Sequence, residues 1–310
     1  MTSLDDLLES LRLDIIDSLQ KSGFEVQQIK SCADAITAWL RIKNRSIFQV
    51  PRKVTESPEF QNRIIDPKFR ISEIKNEFEL GMDMTQRLTR SYYNANFNDS
   101  LLNNFGIYHL HLGDRDLVKD KTKKHLMASG FNDILCAIIT NEEVYFLDIV
   151  DHDVFKNSKM AEGIFRIALR SRRDLLSKYI ITHGVKKINN SFDQAFQNCR
   201  LHHRRKRIGV NSGFELDGVC FLTGGVMSDR TSVDVRSECD RLMYLIIDQY
   251  KFLTNSKSHN LVDFRITDID IDGDMITYYD KTSKVEARVI IPSIMITRMI
   301  DADNYEYCQI

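Results

Sequence analysis

Leu4, Leu7, Leu8, Leu11, Ile15, Ile16 and Leu19 recur three and four residues apart, the spacing that gathers side chains on one face of an α-helix. Ser3 and Asp6 stand at the separation of a capping box, and Gly23 marks the end of the helix. A second helix is expected from about Gln27 to Lys43, with Ile29, Ala33, Ile36, Trp39 and Leu40 on one side. The segment IFQVPRKVTESP holds Pro51 and Pro58 and reads as an extended connection. Residues 71–95 return to helical spacing through Ile74, Phe78, Leu80, Met84 and Leu88, as one helix or as two broken near Gly81.

From residue 105 the period changes. FGIYHLHLG alternates, and DILCAII and VYFLDIV are apolar runs of strand length, with Asn141-Glu142 at a hairpin tip. Three strands in series predict an antiparallel sheet with helices on one face. His109 and His111 leave the same face of their strand, while Tyr108, Leu110 and Leu112 point the other way. One face is therefore expected to be buried and the other accessible. Helices are expected again at 159–181 and 191–201, then strands at RRKRIGVN and FELDGVCFL, then a helix from Val233 to Leu253. A closing meander runs through VDFRITDIDID, DMITYYDK and KVEARVIIPS, with Asp272-Gly273 as one turn. The class is α+β: antiparallel sheets with packed helices and an N-terminal helical extension. The expected parts are a helical region at 1–50, a helix with a three-stranded sheet at 51–155, and a basic helical segment followed by a second α+β module at 156–310.

Composition narrows the classes. The 310 residues are 43% hydrophobic and 28% charged, which excludes a disordered chain, a collagen and a small disulfide scaffold. No apolar run approaches the ~18–20 residues of a membrane span. The first residues carry acids where a secretory signal carries positive charge, so a cytoplasmic protein is expected. None of the six cysteines stands in a CxxC pair, which removes a zinc ribbon and a thioredoxin motif and leaves mostly buried structural thiols. Charge is unevenly spread. Residues 156–208 hold 14 Lys and Arg against 3 Asp and Glu, a net charge of +11 between flanks of -5 and -7.

Three segments carry candidate chemistry. His109 and His111 share a strand face, and His152 closes the third strand between Asp151 and Asp153. Three imidazoles suit a transition metal, with Asp148 or Asp151 as the oxygen ligand. They also suit metal-free RNA cleavage, with one histidine as base and another, or Lys123 or Lys124, as acid. A purely structural role is the third alternative. In the basic block, His202, His203, Arg204, Arg205, Lys206 and Arg207 are consecutive, and Arg166, Arg170 and Arg173 lie at helical spacing. Backbone phosphates of nucleic acid are their natural ligand; pairing with acidic flanks or an acidic partner is the alternative. FLTGGVMSDRTS is a strand-to-helix turn that lacks the lysine and glycine spacing of a P-loop, and ITDIDIDGD is a half-exposed strand before a hairpin.

A helical region followed by YHLHLGDR, DILCAII and VYFLDIVDHDVF resembles the core of RelE/HigB-like ribonuclease toxins over residues 72–155. It is also similar to uncharacterised bacterial proteins with a GI-x-HLHLG core. The toxin resemblance implies a metal-independent endoribonuclease in bacterial stress or antiviral defence, with RNA as substrate, an antitoxin as partner and no cofactor. The rivals are a non-catalytic nucleic-acid or protein interaction subunit, and a metal-dependent hydrolase using His109, His111 and His152.

Overall fold

The computed structural model describes residues 3–113, 118–119, 126–127, 131–180, 191–201, 213–222, 231–255, 264–270, 275–282, 284–290 and 307–309. In chain order the elements are α1 (Leu4–Lys21), α2 (Cys32–Arg45), β1 (Lys53–Glu56), α3 (Pro58–Gln61), α4 (Ile71–Glu79), α5 (Ser100–Phe105), β2 (Tyr108–His111), β3 (Val118–Lys119), β4 (Leu126–Met127), β5 (Asp133–Ile139), β6 (Glu143–Asp151), α6 (Ser158–Ser171), α7 (Phe192–Leu201), β7 (Gly213–Leu216), β8 (Val219–Leu222), α8 (Val233–Asn255), β9 (Phe264–Asp270), β10 (Met275–Asp280), β11 (Val285–Ile290) and β12 (Tyr307–Gln309). The fold is α+β. Among the described residues no helix is long and apolar enough to cross a membrane.

Two compact units form, residues 1–40 with 237–310, and residues 41–236. The expected boundaries after residues 50 and 155 both fall inside the second unit. Local pattern does not encode which distant segments meet.

In the first unit, Ser3 Oγ accepts from Asp6 N–H at 3.1 Å and Asp6 Oδ2 accepts from Ser3 N–H at 3.3 Å, which is the capping box read from the sequence. Strands β9 to β12 pair antiparallel in the order β12-β11-β10-β9. The Asp272-Gly273 turn lies outside the described residues. Tyr278, buried on β10, donates to Gln249 Oε1 at 2.6 Å.

The second unit is built on a sheet of order β1-β6-β5-β2. Strands β2, β5 and β6 form the expected antiparallel meander, in register His109↔Cys136↔Asp148 and His111↔Ile134↔Val150. The proline-flanked segment is not a mere connection. Lys53–Glu56 pairs parallel with β6, and Ser57 caps the short α3, with Pro58 at its first position. Neither proline interrupts the ladder, because both stand just outside the strand.

Both faces of this sheet are covered along β5 and β6, and the expected accessible face persists only at its histidine end, where His111 and His152 are half-buried. On one side Ile134, Cys136 and Ile138 join an aromatic core with Phe105, Phe165, Phe192, Phe214 and Phe221. Representative ring centroids lie 5.0 Å apart for Phe165–Phe221 and 5.1 Å for Phe192–Phe214. On the other side Phe146 meets Phe60 at 5.5 Å and Phe78 at 6.2 Å. Double coverage explains why DILCAII shows no alternation: a strand buried on both faces reads as a continuous apolar run.

Other expectations shift at element ends. The helix from residue 71 stops after Glu79. Gly81 there adopts φ +67°, and a Cβ would fall 2.6 Å from the Val50 carbonyl carbon. Two 3-10 turns, Thr85–Arg87 and Arg90–Tyr93, follow. The helix expected at 159–181 ends at Ser171 and continues as 3-10 turn, Arg173–Tyr179. FELDGVCFL is a hairpin, not one strand, turned by Asp217 (φ 50°) and Gly218 (φ 74°). Cys32, Cys136 and Cys239 are buried, and Cys220 is half-buried. Burial pushes the Cys32 thiol up to about 12.

Candidate metal centre

The turn from α5 into β2 places the first histidine. Asp99 caps α5: its Oδ1 accepts from the N–H groups of Leu101 at 3.0 Å and Leu102 at 3.1 Å. Arg45 holds the loop before this cap, donating to the carbonyls of Phe97 at 3.0 Å, Tyr92 at 2.7 Å and Asn94 at 2.8 Å. Gly106 closes the helix at φ +67°, where a Cβ would lie 2.6 Å from Tyr179 Oη. Strand β2 then begins, and its pleat sends His109 and His111 to the same face.

His152 arrives from the other end of the meander. Its N–H donates to Asn132 O at 2.9 Å, just beyond the β5–β6 ladder. Asp151 caps the following 3-10 turn, His152–Phe155, by accepting from Asp153 N–H at 2.7 Å. The three rings converge. Centroids lie 5.7 Å apart for His109–His111, 6.0 Å for His109–His152 and 5.4 Å for His111–His152. One nitrogen from each imidazole lies within 4.8 Å of the others, the separation of ligands around one ion. Among the described residues this is the group of this kind. His109 is buried and His111 and His152 are half-buried, so the cluster opens toward solvent on the His111–His152 side. Phe155 packs on His109 at 4.8 Å and on His152 at 5.2 Å.

Asp99 stands behind His109. Its Oδ2 lies 2.9 Å from Nδ1, with both side chains buried. Nδ1 and Oδ2 are close enough to interact, but the ring N–H is not aligned with the carboxylate and makes no hydrogen bond, so the contact acts through charge. Burial works to raise the Asp99 pKa, but the adjacent His109 and the two backbone N–H groups outweigh it, and the carboxyl lies below its ordinary range. His152 is held below the ordinary imidazole value, chiefly by burial, then by His109 and Lys156 against the opposing pull of Asp151. A lowered value favours neutral imidazole, the form that binds metal.

The two carboxylates expected from the sequence as oxygen ligands are engaged elsewhere. Asp148, in register with His109 through Cys136, forms an ion pair with Arg63, with Nε–Oδ1 at 2.7 Å and Nη2–Oδ2 at 2.9 Å. Asp151 caps its turn and accepts from Asn132 Nδ2. The carboxylate that reaches the cluster is Asp99, which the sequence reading did not single out. Its signal was an aspartate directly before the apolar SLLNNF helix, an N-cap pattern.

The basic stripe is placed in part. On α6, Arg166 pairs with Glu162 at 2.8 Å and with Asp217, and Arg170 pairs with Glu59 at 2.6 Å. Arg173 is exposed. Lys123, Lys124, His202, His203, Arg204, Arg205, Lys206 and Arg207 lie outside the described residues, as do Gly224 and Gly225. No family model, curated protein or solved structure matches the chain.

Proposed function

We propose that the protein is a metal-dependent hydrolase whose His109, His111 and His152 bind one transition-metal ion of the zinc class. The observation that carries this reading is the convergence of three imidazole nitrogens within 4.8 Å. His109, His111 and His152 would hold the ion, which would then supply a water of lowered pKa and polarise a phosphoryl or carbonyl oxygen.

Metal-free cleavage uses the same histidines less well. A general acid or base must reach its proton on the substrate. His109 is buried between Asp99 and Phe155, a place suited to a ligand behind an ion. Phosphodiesters of nucleic acid are the substrate class that the +11 block suggests.

The test is hydrolysis of RNA, single-stranded DNA and a chromogenic phosphodiester, after chelation and after return of zinc, cobalt or manganese. Metal-dependent turnover and bound metal near one per chain are expected, both lost in His111→Ala. Cleavage that survives complete chelation hands the site to the metal-free ribonuclease reading. Neither metal nor cleavage leaves the interaction-subunit reading.

A further inference from the structure

We infer that Asp99 is a positioning residue for the metal centre, completing a carboxylate–histidine–metal relay in which His109 turns Nδ1 to Asp99 and offers Nε2 to the ion. The inference rests on the metal-dependent reading of the three histidines. It adds the residue that sets the tautomer and basicity of the buried ligand.

The Asp99 carboxylate is divided between two tasks. Oδ1 is fixed by Leu101 and Leu102 N–H, so it cannot turn away, and Oδ2 is left 2.9 Å from His109 Nδ1. The imidazole is held on another side by Phe155, at 4.8 Å and nearly perpendicular. With Nδ1 facing the carboxylate at 2.9 Å, a small turn of the ring on coordination would align its N–H with Oδ2 and leave Nε2 for the ion that His111 and His152 share. Hydrogen bonding of the remote imidazole N–H to a carboxylate fixes ring orientation and raises ligand basicity. The buried negative charge also offsets the positive charge that the ring acquires on coordination. His111 and His152 are half-buried and exchange with water more readily, so the relay falls on the ligand that solvent cannot orient.

The helix cap makes a clean substitution available. Asparagine caps a helix as well as aspartate does. In Asp99→Asn the side-chain oxygen still accepts from Leu101 and Leu102, but the group facing Nδ1 becomes an amide N–H₂ donor. Nδ1 must then accept, the proton moves to Nε2, and the ligating nitrogen is blocked. Asp99→Ser keeps a cap oxygen and presents neither a charge nor an amide donor.

The experiment uses the full chain, stripped with chelator and titrated with zinc against a chromophoric competitor. Zinc affinity is expected to fall about 10–100-fold in Asp99→Asn, the scale seen when a ligand's hydrogen-bonding partner is removed. The loss should be smaller in Asp99→Ser, while both variants should fold without metal at a lowered melting temperature, Asp99→Ser no more stable than Asp99→Asn. Long-range proton–nitrogen NMR should place the His109 proton on Nδ1 in the zinc-bound wild type and on Nε2 in metal-free Asp99→Asn. Wild-type affinity in Asp99→Asn overturns the relay while leaving the metal centre standing. Affinity that falls only in step with metal-free melting temperature, in both variants, also overturns it and makes Asp99 a helix cap alone. A wild-type chain that takes up no zinc or cobalt removes the metal centre itself, and the relay with it.

Discussion

Arg87 grips Glu77 through two parallel hydrogen bonds, Nε to Oε2 at 3.0 Å and Nη2 to Oε1 at 2.9 Å, and both side chains are buried. Its remaining Nη1 donates to the Gly113 carbonyl, two residues beyond His111. The pair therefore ties α4 and the turn after it to the end of β2. Arg87→Met removes one partner and leaves a carboxylate in an apolar site, at a cost of about 3–5 kcal/mol. Exchanging both, as Arg87→Met with Glu77→Leu, should recover much of that loss, because a well-packed apolar pair often replaces a buried ion pair without penalty. Urea denaturation of the two variants checks the order. Equal stability of single and double variants would show that the pair contributes nothing by charge.

Metal should stabilise the folded chain by mass action. At zinc near one hundred times its Kd, the gain is about 2.7 kcal/mol, and the melting temperature should rise accordingly. His111→Ala removes one of three ligands from a half-buried position, so the metal-free protein should melt close to wild type while the zinc-induced shift disappears. A shift of full size in His111→Ala would move the ion to another site.

Arg172 joins the start of β6 to the 3-10 turn after α6. It donates to Glu143 Oε2 at 2.8 Å and to Asp174 Oδ2 at 2.8 Å, and its guanidinium lies 5.4 Å from the Tyr145 ring centroid. The Arg172 hydrogen bonds hold the Glu143 carboxyl below its ordinary value of 4.5. A carboxyl depressed in the folded state gives stability that is fully present above the unfolded value. It is lost as pH falls through the lower folded value, since the unfolded chain then binds more protons. Glu143→Gln should leave a shallower acid limb below about pH 4.5, with a loss at neutral pH on the order of 1 kcal/mol for this half-buried surface pair. Thermal melting from pH 7 to pH 3 in both proteins checks it, and parallel curves would count against the assignment.

Local signals were legible where a residue's own neighbours decide its structure. The Ser3–Asp6 capping box, the β2–β5–β6 meander and the shared face of His109 and His111 all follow from short-range spacing. What was not legible depends on distant partners. Lys53–Glu56 becomes a strand only because β6 offers it an edge, and nothing in KVTE alone announces a parallel pair. DILCAII gave its burial but not the second layer of helices above it. Asp148 looked like a ligand until Arg63 claimed it, and Asp99 drew no notice because its partner His109 lies across a helix and a turn. Carboxylates near a histidine pair in sequence are thus poor guides to the carboxylate that meets it in space.

Two arginines of the basic block are already held in ion pairs, and the consequence for nucleic-acid binding can be measured. Arg166 is shared between Glu162 and Asp217, and Arg170 is bound to Glu59. Contact with a phosphate would first have to break those pairs, each worth about 0.2–1 kcal/mol on a protein surface. Arg204, Arg205 and Arg207 stand in the unbroken run of six cationic and histidine side chains from His202 to Arg207. If the protein acts on nucleic acid, binding to single-stranded RNA should weaken steeply as salt rises. Replacing Arg204, Arg205 and Arg207 with glutamine should then reduce the log–log salt slope by about 2, at roughly 0.7 for each phosphate no longer neutralised. Replacing Arg166 and Arg170 should change the slope far less. Fluorescence anisotropy with a labelled oligonucleotide, from low to physiological salt, reads both. Equal effects of the two replacements would mean that the ion pairs on α6 yield to phosphate, and no effect of either would place any nucleic-acid contact outside this block.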